Sequence, residues 1–204
     1  MTKANPSKKD LIVLDFDQTI YYNPNYDLSF SPKLYNVVRA KDFFFELFEQ
    51  TEIPQVYKPY FVLITGRQED QRRMVLHALK QKGYQIDTAY FNPTDQSVFL
   101  NNKGEIDPNK FLINYWCWKC MVINELKNSR DFGSIMVLED DLTICHMLIN
   151  LNITTLKTEF IIHNNELNII FKEFNNNKKT FEILNSDLKC LYEGRDRKYE
   201  QISI

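Results

Sequence analysis

Residues 11–14, Leu-Ile-Val-Leu, run without a polar break into Asp15, and a single Phe separates that acid from Asp17. A continuous aliphatic run of this kind fits a central parallel strand buried on both faces. The chain must therefore place two carboxylates at the end of a buried strand, where they repel each other and lose solvation. A bound cation is the obvious compensation. The same design returns in "PYFVLITGR", which ends in Thr65, Gly66 and Arg67, and in "GSIMVLEDD", which ends in Glu139, Asp140 and Asp141.

Between these strands the pattern turns helical. An aromatic helix is predicted over about residues 33–51, a second over 68–82 closed by Gly83 in the C′ position, and a long third that opens on the Asp107-Pro108 cap and runs to about Asn128. "DTAYFNP" supplies a third strand, and a helix around "TICHMLINL" and a strand around "LKTEFIIHN" complete the alternation. Strands alternating with helices predict an α/β fold with a doubly wound, mainly parallel sheet, in which ligands bind outside the carboxyl ends of the strands. The predicted core spans residues 8–163, with a flap and the aromatic helix over 20–60 and a small hairpin insertion over 94–107. Residues 164–204 are expected to form a small C-terminal appendage.

A chain of 204 residues with a formal net charge of −2 carries no global basic field, which argues against strong sequence-independent nucleic-acid binding while leaving room for a local basic groove. No apolar run approaches a membrane span, and the polar start "MTKANPSKKD" lacks a signal-peptide stretch, so a soluble intracellular protein, cytoplasmic or nuclear, is expected. Four cysteines do not make a disulfide framework. Cys117 and Cys120 form a C-x-x-C within the long helix, but no second pair of similar spacing exists to complete a zinc site, and both read as small hydrophobes.

An Asp at a strand end can attack phosphorus and form an aspartyl-phosphate, splitting one hard hydrolysis into two easier displacements. Asp15 has that position, and Asp17 can then act as general acid and base if the chain turns immediately. A phosphoryl group brings further negative charge, which calls for Mg²⁺ or a similar hard cation; Asp140 is the first choice for the added ligand, with Asp141 and Glu139 as alternatives. Thr65 and the N–H groups that follow it suit phosphoryl oxygens. Of Lys110, Lys119 and Lys127 on that helix, Lys119 shares the apolar stripe of Tyr115, Val122, Ile123 and Leu126 while Lys110 lies roughly half a turn away, so Lys119 either snorkels or meets an acidic partner.

The ordered set "DFDQT", "LITGR", "WKCMV" and "LEDD" resembles the motifs of the haloacid dehalogenase (HAD) superfamily of phosphatases over about residues 10–163. The resemblance implies a HAD-like Rossmannoid fold with Asp15 as nucleophile, Asp17 as general acid/base, and Thr65 and Lys119 on the phosphoryl group. It also implies Mg²⁺ held by Asp15, Asp140 and the backbone carbonyl of Asp17, with Asp141 as a further metal-site residue. Thr19, Gly66 and Arg67 complete the expected phosphate- and substrate-binding set. Gln18 departs from the Gly of many members and makes the turn less permissive.

Within the superfamily the strands, the Lys-bearing helix and "LEDD…H" look like the Swiss army knife RNA repair-like HAD domains, although Asp141 replaces an Arg and His146 sits further on. That would imply nucleic acid repair through an RNA- or DNA-end phosphatase. Only a minimal cap is expected, so Tyr21, Tyr22, Tyr26 and Phe30 can either stack on bases or pack the flap, and Arg67, Arg72 and Arg73 can either meet backbone phosphates or be solvated. The expected function is a Mg²⁺-dependent phosphomonoesterase. A non-catalytic nucleic-acid or protein-binding module and a small-molecule phosphatase or nucleotidase are the alternatives.

Overall fold

The first aliphatic run becomes β1 (Lys9–Leu14), an inner strand of a six-stranded sheet. The computed structural model describes residues 9–24, 32–51, 59–93, 100, 107–129, 131–163 and 166–174, all within one unit of the chain, Met1–Phe174. After β1 come α1 (Ala40–Gln50), β2 (Tyr60–Gln68), α2 (Arg72–Gln81), β3 (Thr88–Asn92), α3 (Pro108–Asn128), β4 (Phe132–Glu139), α4 (Leu142–Asn150), β5 (Thr154–His163) and β6 (Glu166–Glu173). The strand order is β3-β2-β1-β4-β5-β6, parallel throughout except for the antiparallel β5–β6 pair. This is a Rossmann-like α/β sheet flanked by helices. The chain moves outward from β1 through β2 to β3, then crosses back to β4 and continues to β5, so the topological switch point lies between β1 and β4.

Side-chain alternation divides β1 between two layers. Ile12, Leu14 and the following Phe16 join Phe43 and Leu47 of α1 and Val75, Ala78 and Leu79 of α2 in one core cluster. Leu11 and Val13 point the other way, toward the side on which α3 touches β2, β3 and β4. The cap of α3 forms as its sequence predicts: Asp107 Oδ1 accepts from the N–H groups of Asn109 at 3.1 Å and Lys110 at 3.3 Å.

Three expectations are corrected. The aromatic helix is shorter, because Tyr22 N–H donates to Asn36 C=O, Val37 bridges Tyr21 and Val38 N–H donates to Ile20 C=O, so residues 36–38 pair with the flap before α1 begins. The second strand does not end at Arg67: β2 runs on to Gln68, with a register shift against β3 between Thr65 and Gln68. The appendage does not begin at 164, since β6 pairs with β5 along its whole length and Ile169 and Phe171 enter the core; the unit boundary falls after Phe174. The hairpin expected over 94–107 and the rest of the appendage, 175–204, lie outside the described residues apart from positions 100 and 107. No helix among the described residues is long and apolar enough to cross a membrane.

Candidate active site

The β1–β4 register pairs Val13 with Val137 and Leu14 with Leu138, and Asp15 N–H extends the ladder by donating to Leu138 C=O at 3.1 Å. The next rung brings Asp15 beside Glu139. Asp15, Glu139 and Asp140 each offer a carboxylate oxygen, and the three oxygens lie within 4.8 Å of one another. From α3, Lys119 Nζ reaches the same point, 2.6 Å from Asp15 Oδ1 and 2.5 Å from Glu139 Oε2, and donates to Tyr115 Oη at 3.2 Å. Asp15 is 3% exposed, and Lys119 and Glu139 not at all.

One ammonium faces three carboxylates. Burial works against the charge on Lys119, but the Asp15 and Glu139 carboxylates overcome it and hold its pKa well above the usual lysine value. Burial also pushes the Asp15 and Glu139 carboxyls up, only partly opposed by Lys119. Asp140, half-buried beside the Asp15 charge, is pushed up to about 8. Asp140 therefore holds a proton near neutral pH that a cation can replace. Its all-carboxylate donor set suits a hard divalent ion such as Mg²⁺ rather than a soft one.

Asp17 faces a different partner. Arg67 Nε donates to Oδ2 at 2.9 Å and an Arg67 terminal nitrogen to Oδ1 at 2.8 Å, a bidentate pair, while Asn23 Nδ2 donates to Oδ1 at 3.1 Å. Arg67 is 1% exposed, lies over the rings of Phe16 and Tyr21, and donates to Gln71 Oε1 at 2.8 Å. The guanidinium expected to meet substrate phosphate is thus spent on Asp17.

Other expected site residues also have internal partners. Thr19, buried, shares a hydrogen bond of 2.9 Å with Thr158 on β5 instead of facing the acids. The hydroxyl of Thr65 accepts from Arg67 N–H at 3.2 Å. Gly66 carries no chemistry of its own; a Cβ there would lie 2.8 Å from the ring of Tyr115, so its hydrogen makes room for the residue that braces Lys119. Asp141, expected at the metal, lies outside the three-carboxylate group. Its Oδ1 caps α4 through Thr143 N–H at 2.7 Å and Ile144 N–H at 3.3 Å, and its Oδ2 accepts from Trp116 Nε1 at 2.8 Å. Gln18 takes the positive-φ conformation, 58°, that glycine favours, and its amide donates to Asn23 C=O.

Of the other lysines on the long helix, Lys110 pairs with Asp107 at 3.6 Å and Lys127 donates to Leu151 C=O. Arg72 pairs with Glu69, and Arg73 is exposed. Tyr21 is buried in the core, Tyr22 packs edge-to-face on Phe160, and Tyr26 and Phe30 lie outside the described residues. Cys117, Cys120 and Cys145 are free thiols in buried positions, and burial pushes the Cys120 and Cys145 thiols upward. Two members of the cluster carried clearer signals than the motif comparison used. "IVLD" and "MVLE" align rung for rung, which puts Glu139 opposite Asp15, and Tyr115 stands four residues before Lys119. No protein-family model matches the chain, and searches of curated proteins and of solved structures likewise find no match.

Proposed function

We propose that this protein is a divalent-cation-dependent phosphomonoesterase acting through Asp15. The observation that carries the reading is the convergence of Asp15, Glu139, Asp140 and Lys119 at the switch point of the sheet, where open α/β folds bind ligands. The ordered motifs shared with the HAD superfamily support it. A cation held by Asp15, Glu139 and Asp140, with Mg²⁺ the best fit, would supply neutralisation of phosphoryl charge.

The chain's own residues provide the remaining chemistry. An Asp15 carboxylate oxygen attacks phosphorus and the bond to the leaving oxygen breaks, with Asp17 as the group that delivers a proton to it. Water then attacks the aspartyl-phosphate, Asp17 takes its proton, and Asp15 is released with inorganic phosphate. Lys119 offsets the charge that accumulates on the transferred group, and Thr65 keeps a hydroxyl proton to donate to it.

Phosphate release from p-nitrophenyl phosphate tests this reading. Asp15→Asn should lower kcat by at least about 10³-fold, and chelation should abolish turnover. Retained activity in Asp15→Asn would overturn it. The occupied state of Asp17 favours a second reading, a non-catalytic cation-stabilised binding module on the same scaffold. Cation-dependent stabilisation without turnover of any phosphomonoester would select that one.

A further inference from the structure

β5 is ten residues long, but β4 pairs only with Thr154 to Lys157. Beyond that point β6 is the strand that pairs with β5 among the described residues, with Thr158 also bonded through its side chain to Thr19, and the β5–β6 hairpin rises past the carboxyl end of β4. Among the described residues, no strand pairs with the inner edge of residues 158–163. A cleft of about 370 Å³ opens there, and its walls include Asp140 from the acid cluster, Gln18 and Tyr22 from the loop after β1, and the five consecutive residues Lys157 to Ile161. Successive side chains of a strand point to opposite faces, so a space touched by five in a row meets the strand edge-on. Backbone donors and acceptors with no strand partner among the described residues therefore line it.

We infer that this cleft receives the leaving group of the substrate, and that it selects a planar heteroaromatic ring such as that of a nucleoside. The inference rests on the phosphomonoesterase reading for the word leaving group, because Asp140 is the residue shared between the cleft and the acids. Tyr22 and Phe160, centroids 5.7 Å apart and both half-buried, provide ring faces on which another ring can stack. The free strand edge supplies hydrogen-bonding groups for the ring's polar rim. A cleft of this volume sits at the small end of ligand sites, enough for one nucleoside rather than a stretch of polymer or a docked peptide strand. Beside it, Glu159 on the cleft wall is paired at 2.6 Å with both Lys157 and Lys172, so its carboxylate does not face a phosphorylated substrate unneutralised.

The test uses two readouts on the full chain. With Mg²⁺ present, kcat/KM for adenosine 3′- and 5′-monophosphate is compared with that for glycerol 2-phosphate; without turnover, adenosine alone is titrated against the protein by NMR. The wild type should prefer the better adenosine monophosphate by at least about tenfold, and adenosine should shift the resonances of residues 157–161. Phe160→Ala should cut that preference about tenfold and weaken adenosine binding, while Phe160→Trp should retain both, with circular dichroism verifying that each variant is folded. A preference that survives Phe160→Ala, a stronger preference for a phosphopeptide, or no adenosine shift overturns the inference while the phosphatase reading stands. If no phosphomonoester is turned over, the phosphatase reading fails, and adenosine binding and its loss in Phe160→Ala decide the ring site alone.

Discussion

The two acids of "DFD" lie two residues apart and meet opposite fates. Asp17 has one cation to itself: the Arg67 guanidinium meets both its oxygens, and its side chain is still 16% exposed to water. Asp15 shares one ammonium with Glu139, has Asp140 as a further acidic neighbour, and is almost wholly buried. The first arrangement is electrically complete and the second is not. A site with a surplus of buried negative charge is where a cation, or a proton in its place, has a role to fill.

The largest test of this contrast removes Lys119. Lys119→Met leaves Asp15 and Glu139 without their shared ammonium, and urea denaturation should show a loss of about 3–5 kcal/mol, partly recovered by MgCl₂. Arg67→Met should cost less, about 2–3 kcal/mol, because water reaches Asp17, and Mg²⁺ should not restore it. If Arg67→Met proves the more damaging of the two, the contrast is inverted.

A pH series sharpens the same point. The folded Asp140 carboxyl, pushed up to about 8, holds a proton that the unfolded chain has already released. Its stabilising contribution is therefore complete below the ordinary carboxylate pKa and is lost as pH rises through about 8. Metal-free protein should lose about 2 kcal/mol between pH 6 and pH 8, read by thermal melting, whereas Mg²⁺-saturated protein should not. A flat profile without metal would sink the idea of surplus charge. The smallest effect belongs to Tyr115→Phe, which deletes one hydroxyl acceptor on Lys119 and should cost about 1 kcal/mol in the same assay with the pH profile unchanged.

The strands were legible because parallel strands buried on both faces leave continuous aliphatic runs, and α3 because its cap and its apolar stripe agree. That stripe also placed Lys119 toward the sheet. What escaped depends on partners far away in sequence. Nothing near Thr19 announces Thr158, 139 positions on, and nothing near Asp17 announces that Arg67, 50 positions on, turns inward. Asp141 read equally well as ligand or helix cap, since both follow a strand, and its capping bonds to Thr143 and Ile144 N–H decide for the cap. β6 was hidden by the Asn- and Lys-rich segment after it, although "LNIIF" alternates well enough to add an edge.

Gln18 has a consequence beyond its unusual φ. A left-handed conformation costs a non-glycine residue about 1–2 kcal/mol, yet a glycine would lack the amide that reaches Asn23. Asn23 grips Asp17, Asp17 grips Arg67, and Arg67 grips Gln71 at the entrance to α2. These five residues make a strut from the loop to the helix, so one run of hydrogen bonds anchors both the bend after β1 and the start of α2.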